Sequence, residues 1–168
     1  MRVFGVVGWK NNGKTTLVVR LVEHLTATGY AVSTVKHAHH EVDLDQPGKD
    51  TWRHREAGAS EVVLATARRW AVIHELRGAA EPPLDELLAR MTPVDLVLVE
   101  GFKRFPHPKL EVHRHERGTP LLARDDPSIV AVAADTPLPD LDLPQFHLDD
   151  IEAIAGFIRQ RLEIAAPS

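Results

Sequence analysis

The sequence predicts an α/β fold with a mostly parallel central sheet between helical layers. Three observations predict it. Short apolar runs alternate with one-sided helical stripes, the signature of βαβ units. A glycine-rich turn joins the first run to the first stripe. The later run Val94 to Val99 is almost continuously apolar, as a central strand covered on both faces requires.

Each element follows from local chemistry. Val3 to Val7 is an apolar strand ending at Gly8. Leu17, Val18, Leu21, Val22 and Leu25 form the buried stripe of a helix that Gly29 is placed to end. Ala31 to Lys36 is a second strand, completing a βαβ unit. Asp50 is expected to cap a short helix that stops near Gly58. Ser60 to Thr66 and Arg69 to Leu76 are expected to be strands joined by a tight turn. Leu84, Leu87, Leu88 and Met91 mark a helix closed by Pro93. Leu110 to His115 and Ile129 to Ala134 are further strands. Pro137, Pro139 and Pro144 are expected to keep the next segment irregular. Asp149, with Glu152 three residues on, is expected to cap a final helix. No linker or repeat divides the chain, so residues 1–168 read as one domain.

Composition narrows the function. The formal net charge of −4 argues against a main task of gripping nucleic acid. No apolar run approaches the roughly 18 to 20 residues of a membrane span. The first residues turn polar too quickly for a signal peptide, with Lys10, Asn11 and Asn12 close to the start. The absence of cysteine excludes disulfides and thiolate metal sites. These features suit a cytoplasmic protein.

The strongest motif is Gly8-Trp9-Lys10-Asn11-Asn12-Gly13-Lys14-Thr15, which matches the Walker A pattern G-x-x-x-x-G-K-[ST] at every fixed position. Such a P-loop must wrap phosphate closely, and glycine permits both the dihedrals and the approach. Its residues, with Thr16, are the expected nucleotide-binding set. Lys14 supplies a mobile charge to the β- and γ-phosphates, and Thr15 a hydroxyl to Mg²⁺. The positive end of the following helix faces the anion. With this motif the fold class becomes a three-layer P-loop NTPase type. Lys10 sits one residue later than a loop lysine that reaches a partner subunit's nucleotide, so it reads better as solvated or locally phosphate-facing.

Glu100 ends the Val94 to Val99 run and resembles the acidic residue of a Walker B strand. Ligands of open α/β sheets bind beyond the carboxyl ends of strands. Glu100 is therefore expected to help hold Mg²⁺ or polarise water, and Gly101 to bring its N–H near the γ-phosphate. Asp95, at the start of the run, is a weaker candidate. The polar stretch Lys36-His37-Ala38-His39-His40-Glu41-Val42-Asp43-Leu44-Asp45 begins on the same ligand face. Its histidines match no known zinc spacing. A nucleotide-sensing switch with Asp43 near Mg²⁺ is the preferred reading, ahead of a transition-metal site or a solvated loop. Lys49 and Asp50 are within reach of the same site. Arg53, Arg55, Arg68, Arg69 and Lys103 are candidate phosphate contacts.

Gly8 to Thr16, the Lys36-His37-x-His39-His40 stretch running on through Asp43, Asp45, Pro47-Gly48-Lys49-Asp50 and Ala57-Gly58-Ala59, then Arg69-Trp70-Ala71 and Leu98-Val99-Glu100-Gly101-Phe102-Lys103 occur here in that order. Together they resemble the molybdopterin-guanine dinucleotide biosynthesis protein B family over nearly the whole chain. The resemblance implies a GTP-binding adaptor with weak GTPase activity. It implies a homodimer that assists the nucleotidyltransferase attaching GMP to molybdopterin. Molybdopterin itself is then a candidate ligand. The guanine motif Asn-Lys-x-Asp is absent, since the only asparagines are Asn11 and Asn12. Asp135, just after the Ile129 to Ala134 strand, stands where a base-reading carboxylate is expected, and a turn aspartate explains it equally well. Two rival readings remain: a nickel-insertion GTPase, motivated by the His37/His39/His40 cluster, and a small-molecule kinase of the same fold.

Overall fold

The computed structural model describes residues 1–38 and 43–167. They form two compact units, Met1–His37 with Met91–Ser168, and Ala38–Arg90.

The larger unit is built on six parallel strands. These are β1 (Arg2–Val7), β2 (Val32–Lys36), β5 (Leu96–Glu100), β6 (Lys109–His113), β7 (Ile129–Ala134) and β8 (Gln145–His147). Their spatial order is β2-β5-β1-β6-β7-β8, so β1 and β6 lie at the centre. The expected sheet is present, with an edge strand that the proline-rich reading missed. β8 forms after Pro144 because Gln145 and its neighbours pair in parallel with Val132 to Ala134. Proline restricts its own residue and the one before it, and leaves the next residues free to pair.

Helix α1 (Lys14–Ala27) follows β1, and α4 (Ile151–Arg161) packs beside it. Leu17, Leu21, Leu25, Ile154 and Ile158 from these helices share one core with Phe4, Leu98, Leu110 and Val112 of the sheet. The stripe in each helix sequence is thus the face turned to the sheet. The cap of α4 differs from expectation. Asp150 occupies it and accepts from the Ala153 N–H at 3.1 Å, while Asp149 binds Arg20 at 2.6 Å. Either aspartate has the side chain a cap needs, and the arginine on α1 engages Asp149 while Asp150 caps the helix.

The smaller unit holds α2 (Asp50–Glu56), the antiparallel hairpin β3 (Glu61–Ala65) and β4 (Trp70–His74), and α3 (Leu84–Ala89). Lys49 precedes α2 as its cap, and Asp50 is the first helical residue. The side chain of Arg55 organises this unit. It binds Asp43 at 2.8 Å, Asp45 at 3.1 Å and Glu75 at 2.7 Å.

Candidate functional site

The site begins where β1 turns into α1. Gly8 has φ +146°, and a Cβ there would lie 2.5 Å from the Val112 carbonyl oxygen of β6. Only glycine lets the loop pass this close to the neighbouring strand. Asn12 is fully buried and donates its amide to the same carbonyl, at 3.2 Å. Its side chain therefore pins the loop to β6. The Trp9 indole N–H donates to the Pro120 carbonyl at 2.8 Å, and the Lys103 ammonium lies 4.5 Å from the indole centre. Lys10 is exposed. Thus Lys103 belongs to the wall of the loop, one of the candidate contacts that the fold brings there.

Lys14 folds back on the loop and donates to the Trp9 carbonyl at 2.8 Å. Burial lowers its pKa below the ordinary lysine value; Glu100 opposes this, and Lys103 and Lys36 add to it. An ammonium held among other cations, in partial burial, is better stabilised by an incoming anion than by what surrounds it.

Glu100 ends β5, largely buried, directly across from this helix start. The Thr15 hydroxyl donates to its carboxylate at 2.7 Å. Lys36, at the end of β2, places its ammonium 3.4 Å from both the Glu100 carboxylate and the Thr15 hydroxyl. Register explains the meeting: Val6, Glu100 and Lys36 are partners across β1, β5 and β2, so three strand ends converge at one edge. The rule that ligands bind at strand carboxyl ends puts the stretch that starts at Lys36 on this face, and the structure adds the contacts of Lys36 itself.

Gly101 follows with φ +96°, and a Cβ there would press against His37. Its N–H donates to the Val6 carbonyl at 3.1 Å. The sheet ladder continues one residue past β5 and claims the group expected to face a γ-phosphate. Phe102 is also left-handed, at φ 48°, and stacks on His37 with ring centres 4.4 Å apart. This contact fixes the start of the loop after β2.

Beyond β7, the Asp135 carboxylate accepts from the His115 N–H at 2.9 Å, and Arg114 lies 4.0 Å away. Asp95 is structural, accepting from the Ala31 N–H at 2.8 Å at the start of β2. Asp43 is held by Arg55 within the smaller unit, and that bond lowers its pKa together with a backbone hydrogen bond from Asp45, the larger cause. Arg55 is likewise committed to this network. Arg68 and Arg69 lie at the hairpin turn, where their N–H groups reach the Thr66 hydroxyl. His39 and His40 lie outside the described residues. Among the described residues, no group of three or more metal-ligating side chains occurs. No helix there is long and apolar enough to cross a membrane.

A parallel sheet, a glycine loop wrapped over a helix start and an acidic residue at the adjacent strand end define a protein of the P-loop fold class. Comparison narrows the class. The family model for molybdopterin guanine dinucleotide synthesis protein B, MobB, matches residues 3–135, and the chain belongs to that family. A molybdopterin-guanine dinucleotide biosynthesis adapter protein from Haemophilus influenzae is 41% identical over 163 residues, 95% of this chain and 89% of the relative. The Escherichia coli protein of the same description is 39% identical over 89% of this chain and 87% of its own. The crystal structure of a MobB homolog from Bacillus stearothermophilus superimposes with a TM-score of 0.73 at 29% identity, covering 98% of this chain and all of the other.

Proposed function

We propose that this chain is a GTP-binding adaptor with weak GTPase activity, which assists a nucleotidyltransferase in joining GMP to molybdopterin. The Thr15–Glu100 pair beside Lys14 carries the reading. Two hard oxygen donors 2.7 Å apart match the edge of an octahedral Mg²⁺ shell, about 2.9 Å for bonds of 2.0–2.1 Å. Mg²⁺ bound there would neutralise charge on the β- and γ-phosphates. Lys14 would swing from the Trp9 carbonyl to the phosphates, and the start of α1 would face them with free N–H groups. Lys36 balances Glu100 and would give way to the stronger cation. The slow rate follows from the γ-phosphate end of the site. Lys14, Lys36, Thr15 and Glu100 lie there, and neither a glutamine nor an arginine is among them to orient water or stabilise the transition state. Asp135 is assigned to the guanine base: His115 fixes one carboxylate oxygen and leaves the other to accept from the base. The adapter description of its relatives supports action on a partner enzyme. To this we add a homodimer, with molybdopterin as a further ligand.

Titration with GTP and ATP in Mg²⁺, followed by Trp9 fluorescence, tests this. GTP is expected to bind more tightly than ATP, and Lys14→Ala to weaken GTP by about tenfold or more. Asp135→Ala should erase the preference while leaving triphosphate binding. An ATP preference in the native chain would favour a kinase, and no binding of either nucleotide would overturn the reading. Stoichiometric Ni²⁺ binding lost with the His37, His39 and His40 side chains would favour a metal-insertion protein.

A further inference from the structure

The ligand edge of the sheet has two sides. On one, β5 and β2 deliver Glu100 and Lys36. On the other, β6 and β7 lead to Arg114, Arg117 and Asp135. A cavity of about 410 Å³ opens on this second side, lined by Asn11, Gly13, Lys14, Thr15, Thr16 and Arg117. Arg117 closes the 3-10 turn His115–Arg117 that follows β6. The turn is anchored at its first N–H by Asp135, so Arg117 is presented to the loop from a fixed base. The Arg114 guanidinium lies over Gly13, 3.5 Å from the position of a Cβ there. Among the described residues, neither arginine has a carboxylate across the fold closer than 4.0 Å. Arg114 stands 4.0 Å from Asp135, and Arg117 pairs with its neighbour Glu116, at 3.5 Å.

We propose that Arg117, backed by Arg114, grips the α-phosphate end of the bound nucleotide. This rests on the nucleotide reading above. The direction is set by the loop itself. Its backbone N–H groups cradle the α- and β-phosphates, while Lys14 and the hydroxyl of Thr15 serve the β/γ end and its metal. Glu100 and Lys36 therefore mark the γ end, and the side of Thr16 and Arg117 is the α end. A guanidinium there offers planar, paired donors to phosphate oxygens. It meets a group that GTP and GDP share and that does not change during hydrolysis. Arg117 is thus an affinity residue.

The test compares GTP and GDP affinities in Mg²⁺, and single-turnover hydrolysis of bound GTP, for the native chain, Arg117→Ala and Arg117→Lys. Arg117→Ala is expected to weaken both nucleotides by about tenfold. The GTP-to-GDP ratio and the hydrolysis rate of bound GTP should stay unchanged, and lysine should restore part of the loss. Arg117 is 48% exposed in its side chain, so thermal melts of both variants should match the native chain. Unchanged affinities overturn the assignment. A loss confined to GTP, or a fall in hydrolysis, also overturns it by moving the arginine to the γ end. If the native chain binds neither nucleotide, the reading beneath fails instead.

Discussion

Strands β5 and β6 are equally buried along all five residues, yet they are made of opposite chemistry. β5 is Leu-Val-Leu-Val-Glu, apolar until the residue that serves the site. β6 is Lys-Leu-Glu-Val-His, with Leu110 and Val112 in the helical core and Lys109, Glu111 and His113 on the other face. That second face is closed by loops whose backbone needs partners. Glu111, fully buried, accepts from the N–H groups of Leu122 at 3.0 Å and Ala123 at 2.8 Å. Those residues open a 3-10 turn, and the carboxylate meets its unpaired donors. Burial raises the Glu111 pKa, and these two hydrogen bonds work against that rise. Lys109, 1% exposed, binds Asp126 at 3.1 Å and also Ser128, fixing the chain as it enters β7. The face that α1 and α4 cover takes hydrocarbon, because a helix satisfies its own backbone; a loop over the other face of β6 asks for charge.

The largest effect expected from this contrast is at Glu111. Glu111→Ala leaves two buried N–H groups without acceptors and should cost about 3–5 kcal/mol, read by denaturant unfolding. Glu111→Gln keeps one acceptor and should cost less than half as much. No loss at all for Glu111→Gln beside the full loss for Glu111→Ala would mean that the side chain acts by volume and that β6 resembles β5 after all. Leu98→Ala in β5 comes next, at about 2–4 kcal/mol, because a cavity replaces packing and no polar group is orphaned.

The smallest effect concerns His107, just ahead of β6. Its ring nitrogens are buried without a hydrogen-bond partner among the described residues. Burial lowers its pKa to about 4, the positive Lys109 adds to this, and Asp126 opposes. The folded state therefore prefers the neutral ring. Its contribution is complete above the unfolded value near 6.5 and is lost as pH falls from there to about 4. Allowing for its partial exposure, the loss should be about 1 kcal/mol. Unfolding curves of the native chain and His107→Gln should diverge across that window. Parallel pH dependence would show that the ring titrates freely.

The same contrast marks what was legible in advance. Short apolar runs located β1, β2, β5 and β7, and one-sided stripes located α1 and α4, since burial leaves a hydrophobic pattern. For β6 the pattern of Leu110 to His115 predicted only a strand; the burial of Lys109, Glu111 and His113 was not legible, because charge looks alike facing water or a buried backbone. The loop Gly8 to Thr15 and Glu100 were legible for another reason: close backbone approach admits few residue types, and a strand end fixes position. Arg114 and Arg117 were not, since arginines after a strand carry no spacing rule. The Gly101 N–H shows the limit from the other side, where the right residue is engaged by the sheet.

By itself, then, the sequence determined the parallel α/β scaffold, the phosphate-type loop and the family, because each depends on local periodicity or on backbone geometry that few residues permit. Only the tertiary structure decided which charges face the loop, which are spent on buried backbone, and how Thr15, Lys36 and Glu100 meet. Those pairings join residues up to 85 positions apart, and strand order, which no local pattern encodes, brings them together.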